Sequence, residues 1–215
     1  MERLRIGIVI PAYNEAETIA DVVNSAKQYG VPIVVDDGSK DHTARLASLA
    51  GGDVVRHDEN KGYDEALNSG FKRSAELESE VVITLDGDGQ HESGLIREFV
   101  SKIEDGSDVV VGIRNRKQRF AERLFAWYTL VRFGIRDPLC GMKAYRIKVY
   151  NDMGRFDTYG SIGTQLMLFA AKKGYKLDQL AVNINSRKGR SRFGQFFWGN
   201  YRIIRAMLMS IWHVK

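Results

Sequence analysis

Apolar residues follow two rhythms along the 215-residue chain. In the first half, short runs rich in Val and Ile alternate with stretches where apolar positions recur every three or four residues. The first pattern marks strands buried on both faces, the second helices with one face on a core. Residues 5–10, 31–35, 53–56, 81–85 and 108–112 are predicted strands. Between them, helices are predicted from Ile19, Val22, Val23 and Ala26, from Leu46 and Leu49, from Ala66, Leu67, Gly70 and Phe71, and from Leu95, Ile96, Phe99, Val100 and Ile103. Pro11-Ala12-Tyr13 should break the first strand. Asn14, with Glu17 in capping-box position, should start the first helix, and Gly30 should stop it. Such alternation predicts an α/β fold, a mostly parallel sheet with helices on its faces.

The second half is less regular. Residues 114–119 have no apolar period and predict a loop. Residues 120–133 predict a helix with Phe120, Leu124, Trp127, Tyr128 and Val131 on one side. Residues 142–146 predict a strand, 162–173 a helix stopped by Gly174, and 177–184 a last strand. Residues 196–212 predict an amphipathic helix with an apolar stripe at Phe197, Tyr201, Ile204, Leu208 and Ile211 and with Arg202 and Arg205 off it. Aromatic and arginine residues together suit a helix lying in a membrane interface; the domain core or a second copy in a homo-oligomer would cover the same stripe. No run approaches ~18 apolar residues, and no leader pattern opens the chain. Cys140 alone excludes an internal disulfide and fits a reducing compartment. The expectation is one domain over 1–215, cytoplasmic or peripheral on the cytoplasmic face of a membrane.

Charge divides the chain. Residues 1–113 carry 11 Lys/Arg and 22 Asp/Glu, a net −11; residues 114–215 carry 21 and 5, a net +16; together they give the overall +5. The basic part, with its run 186–194, calls for an anionic partner: nucleic acid, membrane headgroups or a phosphorylated substrate. Two predicted strands in the acidic part end in paired carboxylates, Asp36-Asp37 and Asp86-Gly87-Asp88. Ligands of open α/β sheets sit beyond the carboxyl ends of strands. Carboxylates held close there call for a cation or hydrogen bonds, and hard oxygen ligands suit Mg²⁺ or Mn²⁺ shared with phosphates. An acidic, glycine-rich turn is the alternative. Neither a dinucleotide-binding glycine fingerprint nor a Walker-type phosphate loop is present. A nucleic-acid reading leaves the paired acids unexplained.

Several motifs fall in one order: Pro11-Ala12-Tyr13-Asn14-Glu15; Val35-Asp36-Asp37-Gly38-Ser39 with Asp41; Lys61-Gly62 with Ala66-Leu67-Asn68-Ser69-Gly70; and Asp86-Gly87-Asp88-Gly89-Gln90-His91. Cys140-Gly141-Met142-Lys143-Ala144-Tyr145-Arg146 and the distal Arg187 and Ser191-Arg192-Phe193 complete the set. Over residues 5 to about 194 this resembles family 2 glycosyltransferases of GT-A fold, and within them the dolichyl- or polyprenyl-phosphate sugar synthases. The resemblance implies a Rossmann-like nucleotide-sugar and metal half (1–113), an acceptor half (114–194) and an amphipathic C-terminal helix (195–215). It implies that Pro11, Ala12, Tyr13, Glu15 and Asp37 hold base and ribose, with Asp86 and Gly87 along the nucleotide. Asp88 and Gln90 would ligate a divalent metal, Mg²⁺ or Mn²⁺. Arg114, Arg187 and Arg192 would meet phosphates of donor or acceptor, Arg114 and Arg192 together with Asp88 forming the catalytic set. The implied reaction is inverting transfer from a UDP- or GDP-sugar to a polyprenyl phosphate, with no nucleic-acid partner. A glycan hydroxyl acceptor and a nucleotidyltransferase are the alternatives. Relatives commonly carry glutamates about where Gly163 and Gln165 stand. A hydroxyl acceptor wants a base there, with Asp157 the nearest acid, whereas an ionised lipid phosphate needs none.

Overall fold

The computed structural model describes residues 4–87, 94–115, 119–183 and 196–213. The acidic part runs β1 (Ile6–Ala12), α1 (Ile19–Ala26), β2 (Val31–Asp36), α2 (Thr43–Leu49), β3 (Asp53–Arg56), α3 (Tyr63–Glu76), β4 (Val81–Thr84), α4 (Leu95–Glu104) and β5 (Val109–Arg114). There follow α5 (Phe120–Phe133), β6 (Lys143–Arg146), α6 (Ile147–Met153), α7 (Gln165–Lys173), β7 (Leu177–Val182) and α8 (Phe196–His213).

All seven strands join one sheet in the order β3-β2-β1-β4-β6-β5-β7. β6 alone runs antiparallel to its neighbours β4 and β5; the other pairs are parallel. Strands from both sides of residue 113 thus share one sheet, and β4 and β5 point their carboxyl ends to the same edge. Alternation along β1 explains the layering. Ile6, Ile8, Ile10 and Ala12 face a core with α1, α2 and α4. Val9 faces the other core, with Leu67 and Phe71 of α3 and residues of α5, α6, α7 and α8. With side chains alternating between faces, each inner strand must be apolar throughout, as the Val/Ile runs are.

The strands and helices fall close to their expected places, with instructive departures. Pro11 does not break β1. The strand continues to Ala12, with Pro11 paired in register to Val35, where the β4 ladder has already ended at Val9; an absent N–H costs little there. Asn14 does not cap α1. It sits at φ 51°, and its side-chain oxygen accepts from the Lys40 N–H at 2.8 Å, spending that oxygen on the β2–α2 loop. The helix starts four residues later, after Thr18. α6 was not anticipated from the pattern. α5 covers its expected span with its faces reversed. Ala121, Phe125, Ala126 and Thr129 are buried, while Phe120, Trp127 and Val131 are 70, 64 and 71 % exposed. α8 likewise buries Gly199, Ile203, Ala206 and Ser210 and leaves Tyr201 and Leu208 outside. The buried faces each pair one large apolar residue, Phe125 or Ile203, with smaller neighbours, and most of the bulky residues lie outside.

α3 sits tight on the sheet. A Cβ at Gly70 would come within 2.2 Å of Val9 Cγ1 and 3.1 Å of its Cγ2, so only glycine fits where helix crosses strand. Gly70→Ala is expected to lower stability by about 1–3 kcal/mol through overpacking, despite alanine's better helix propensity. Urea unfolding checks this: an unchanged or higher midpoint would mean that α3 can lift off Val9 freely.

Candidate active site

Three adjacent strand ends build the acidic side of the crevice. The two carboxylate pairs do not lie on neighbouring strands as expected; β1 runs between β2 and β4 and brings Pro11, Ala12 and Tyr13 between them. Asp36 and Asp37 differ sharply in use. Asp36 Oδ1 accepts from the Ser39 N–H. Its Oδ2 has no hydrogen-bond partner, though Arg56 Nε lies 3.4 Å away as an ion-pair contact. The Asp37 carboxylate, 4 % exposed, accepts from Lys61 N–H at 2.9 Å and Gly62 N–H at 2.8 Å, and from His57 Nδ1 at 2.7 Å. It therefore anchors the turn that starts α3. Gly38, at φ 71°, lets this turn close: a Cβ there would meet the Glu59 carbonyl carbon at 2.5 Å.

β4 delivers Asp86 half-buried. Its carboxylate lies against the Cα of Gly141, where a Cβ would fall 2.2 Å from Oδ2. The Cys140-Gly141 turn is thus shaped to receive an acid. Thr18 Oγ1 donates to the Gly87 carbonyl at 2.8 Å, tying β4's exit to α1. Beneath the turn, Lys143 is 3 % exposed and donates to the Cys140 carbonyl at 2.6 Å. Burial pulls its ammonium below the ordinary lysine range, while Cys140, Asp137 and Asp86 act the other way. Burial, helped by the Asp137 charge, pushes the Cys140 thiol up to about 12, so it is a packing residue and no nucleophile.

Arg114 is engaged within the fold. Its Nε and Nη2 donate to Asp137 at 2.8 and 2.9 Å, its backbone N–H adds a third bond to Asp137, and Nη2 reaches Glu122 at 3.1 Å. The expectation of a phosphate-facing Arg114 must therefore allow for two buried carboxylates already sharing its charge.

Opposite the strand ends lies the loop of residues 156–164, which α3 holds. Asn68 and Asp64, four residues apart, lie on one helix face. Asn68 Oδ1 accepts from the Phe156 and Asp157 N–H groups, both at 3.0 Å. Asp64 accepts from Gly163 N–H at 2.6 Å and Ile162 N–H at 3.2 Å. From the other side, the Asp157 carboxylate accepts from the N–H groups of Tyr159, Gly160 and Ser161. At Gly163, φ 70°, a side chain would press on Tyr63 Cε1 at 3.2 Å. Gln165 accepts from the Thr158 N–H at 2.7 Å. Neither position 163 nor 165 offers a carboxylate, and Asp157 is committed to the loop. Burial first, then the Asp157 charge, pushes Asp64 up to about 6, against the two backbone bonds and Arg202.

The glycosyl transferase family 2 model matches residues 7–165. The chain belongs to this family. It is 27% identical to the UDP-N-acetylglucosamine–dolichyl-phosphate N-acetylglucosaminyltransferase of Methanococcus voltae, over 78% of this chain and 80% of that protein. It is 26% identical to the dolichyl-phosphate hexose transferase of Haloferax volcanii, over 90% and 89%. Glucosyl-3-phosphoglycerate synthase from Mycobacterium tuberculosis, solved with Mn²⁺, UDP and phosphoglyceric acid, superposes with a TM-score of 0.77 at 19% identity, over 96% of this chain and 78% of that one. That likeness establishes the GT-A fold of this family 2 member.

Of the residues expected to act, Pro11, Ala12, Tyr13, Glu15, Asp37, Asp86 and Gly87 come together along the ends of β1, β2 and β4. Asp88, Gln90, Arg187 and Arg192 lie outside the described residues. Sequence reasoning missed Asp64, Asn68 and Lys143. The first two carry a faint signal, polar residues at i and i+4 within an otherwise apolar helix face.

Two outcomes are expected. Arg114→Ala leaves Asp137 and Glu122 buried without their cation, and should cost about 3–5 kcal/mol; chemical unfolding with little change would show that these acids are compensated otherwise. Asp64→Asn should stabilise the protein at neutral pH. A folded-state pKa near 6 against the ordinary 3.8 gives a favourable contribution present below about pH 4 and lost as pH rises through 6. A neutral side chain escapes that loss, so the variant's gain, at most roughly 3 kcal/mol, should appear between pH 4 and 6. Parallel unfolding curves at pH 4 and 7.5 measure it; a pH-independent difference would contradict it.

Proposed function

We propose that this family 2 enzyme transfers a sugar, with inversion, from a nucleoside-diphosphate sugar to a polyprenyl phosphate. The observation that carries the acceptor is an open groove of about 670 Å³ at the end of β5, lined by Arg114, Arg123 and Arg136 beside Trp127 and Leu130. Cationic and apolar side chains in one groove suit a ligand with an anionic head and a hydrocarbon tail. The lack of a carboxylate at positions 163 and 165 supports the same reading, since an ionised phosphate attacks without a base. The dolichyl-phosphate transferases among the relatives point the same way.

On the donor side, Tyr13 and the ends of β1 and β2 receive the nucleoside, and Asp86 lies along it. A divalent ion, Mg²⁺ or Mn²⁺, fits this end of the sheet. Asp88 and Gln90, just beyond the strand exit, would hold it, with Asp86 beside them along the nucleotide. The ion would offset the charge that develops on the departing diphosphate. The cationic side chains of the basic half, with Arg187 and Arg192 expected among them, would hold the acceptor phosphate for attack on the anomeric carbon.

A peripheral membrane contact belongs to this reading. Phe120, Trp127, Leu130 and Val131 of α5 and Trp198, Tyr201, Leu208 and Trp212 of α8 are exposed. Arg123, Arg132, Arg202 and Arg205 are exposed on the same helices. The single acid in either helix is Glu122, buried against Arg114. A second copy would set cation against cation, whereas anionic headgroups carry the opposite charge. Among the described residues no helix is long and apolar enough to cross a membrane. A nucleotide-sugar donor would set the work at the cytoplasmic face.

A glycan hydroxyl is the second reading; it would need a base, and Asp64, the carboxylate beside position 163, already accepts from two backbone N–H groups. Incubation with radiolabelled nucleotide sugars, Mn²⁺ and purified polyprenyl phosphate separates the two. The expected product is a lipid-linked sugar, with nucleoside diphosphate released. Product on glycan alone would overturn the acceptor assignment, and release of pyrophosphate would make the enzyme a nucleotidyltransferase. Asp88→Ala is expected to lower transfer by about 10²–10³-fold with circular dichroism unchanged; full turnover in that variant would remove the metal role.

A further inference from the structure

The loop facing the donor side has an unusual backbone. Gly160, Ile162 and Gly163 adopt φ values of 73°, 58° and 70°. The left-handed region is uncommon for a β-branched residue such as Ile162 and must be held by its surroundings. The hold is a pair of carboxylates. Asp157, within the loop, takes three N–H groups. Asp64, reaching across from α3, takes those of Ile162 and Gly163 themselves. Asp64 is the residue beside Tyr63, whose ring lies under Gly163 and whose hydroxyl feels the Asp86 charge. One helical turn therefore carries both the ring under Gly163 and the carboxylate that holds the loop.

We propose that Asp64 is a positioning residue for acceptor use: as a carboxylate it holds Ile162 and Gly163 in their left-handed conformation, and protonation releases that wall. The inference rests on the proposed reading of residues 114–194, which include this loop, as the acceptor half. Both Asp64 oxygens are taken by backbone N–H groups, an arrangement for holding rather than for abstracting a proton. A protonated carboxyl keeps one accepting oxygen and turns a hydroxyl toward the second N–H, so one of the two bonds is lost. The titratable and charged groups facing Asp64 are Asp157 and Tyr159 from the loop, Tyr63 from its own helix and Arg202 from α8. Asp157 opposes its ionisation and Arg202 favours it, and burial adds to the opposition, which sets the release near pH 6.

The test combines two readouts on the full chain and on Asp64→Asn, which keeps the shape and cannot ionise. Hydrogen exchange of the peptide spanning 158–165, corrected for intrinsic rates, reads the hold without any acceptor. Protection should be high at pH 7.5 and fall by pH 5.5 in the wild type, and be low at both in Asp64→Asn. Steady-state kinetics with polyprenyl phosphate read the consequence. The acceptor KM of Asp64→Asn should be raised about tenfold at pH 7.5, the scale of one lost charge-assisted hydrogen bond, with donor KM and kcat little changed. The acceptor's own second ionisation near pH 6 adds the same acid limb to both proteins, so the wild type alone should show a second. Equal protection in the two proteins overturns the hold. Lost protection with an unchanged acceptor KM overturns the positioning role, and a fall in kcat alone would make Asp64 a base instead. If the wild type makes no polyprenyl product, the acceptor assignment fails, and exchange still decides for or against the hold.

Discussion

Everything distinctive about this site depends on how the start of α3 is fixed. Asp37, at the end of β2, accepts from the N–H groups of Lys61 and Gly62 and from His57. Those bonds aim the first turn of α3 into the crevice, while Gly70 against Val9 sets the height of the helix on the sheet. With its start and its height both constrained, the helix can place Asp64 and Asn68 within reach of a loop almost a hundred residues further on. Asp37 thus supports the loop of residues 156–164 through α3 as well as the turn beside it, and a loss at Asp37 is propagated through α3 rather than confined to one contact.

The basic half spends its cations in two ways. Arg114 is half-buried and Lys143 buried, the first satisfying Asp137 and Glu122, the second lying under the turn that receives Asp86. Both help to build the fold of the crevice. The arginines of α5 and α8 remain outside, among exposed aromatic residues. A net charge of +16 in one half therefore describes two populations, one that stabilises acids within the protein and one at the surface. The separation follows from desolvation: a cation removed from water is tolerable only with a carboxylate or carbonyl in contact.

The order of elements was legible because their periodicity is local. Val/Ile runs read as strands buried on both faces, and i, i+3, i+4 recurrences read as helices. α6 escaped because it follows β6 with no residue between them, so no turn signal marks its start. The faces of α5 and α8 were read in reverse, because large apolar residues usually face a core. Here one large residue of each helix, Phe125 and Ile203, enters the core with smaller neighbours, and most of the bulky residues are left at the surface. Asn14 looked like a helix cap for a similar reason. Its side chain is suited to backbone bonds, and nothing local says which backbone will use it.

The sequence by itself determined the elements, the acidic strand ends and the family, since each is written in residues close together along the chain. Tertiary structure alone decided that β1 lies between the two acidic pairs, that Arg114 belongs to Asp137 and Glu122, and that Asp64 stands beside Gly163. Those facts are contacts between segments far apart in sequence. Their energies come from burial and from shared hydrogen bonds, neither of which exists until the sheet has brought the segments together.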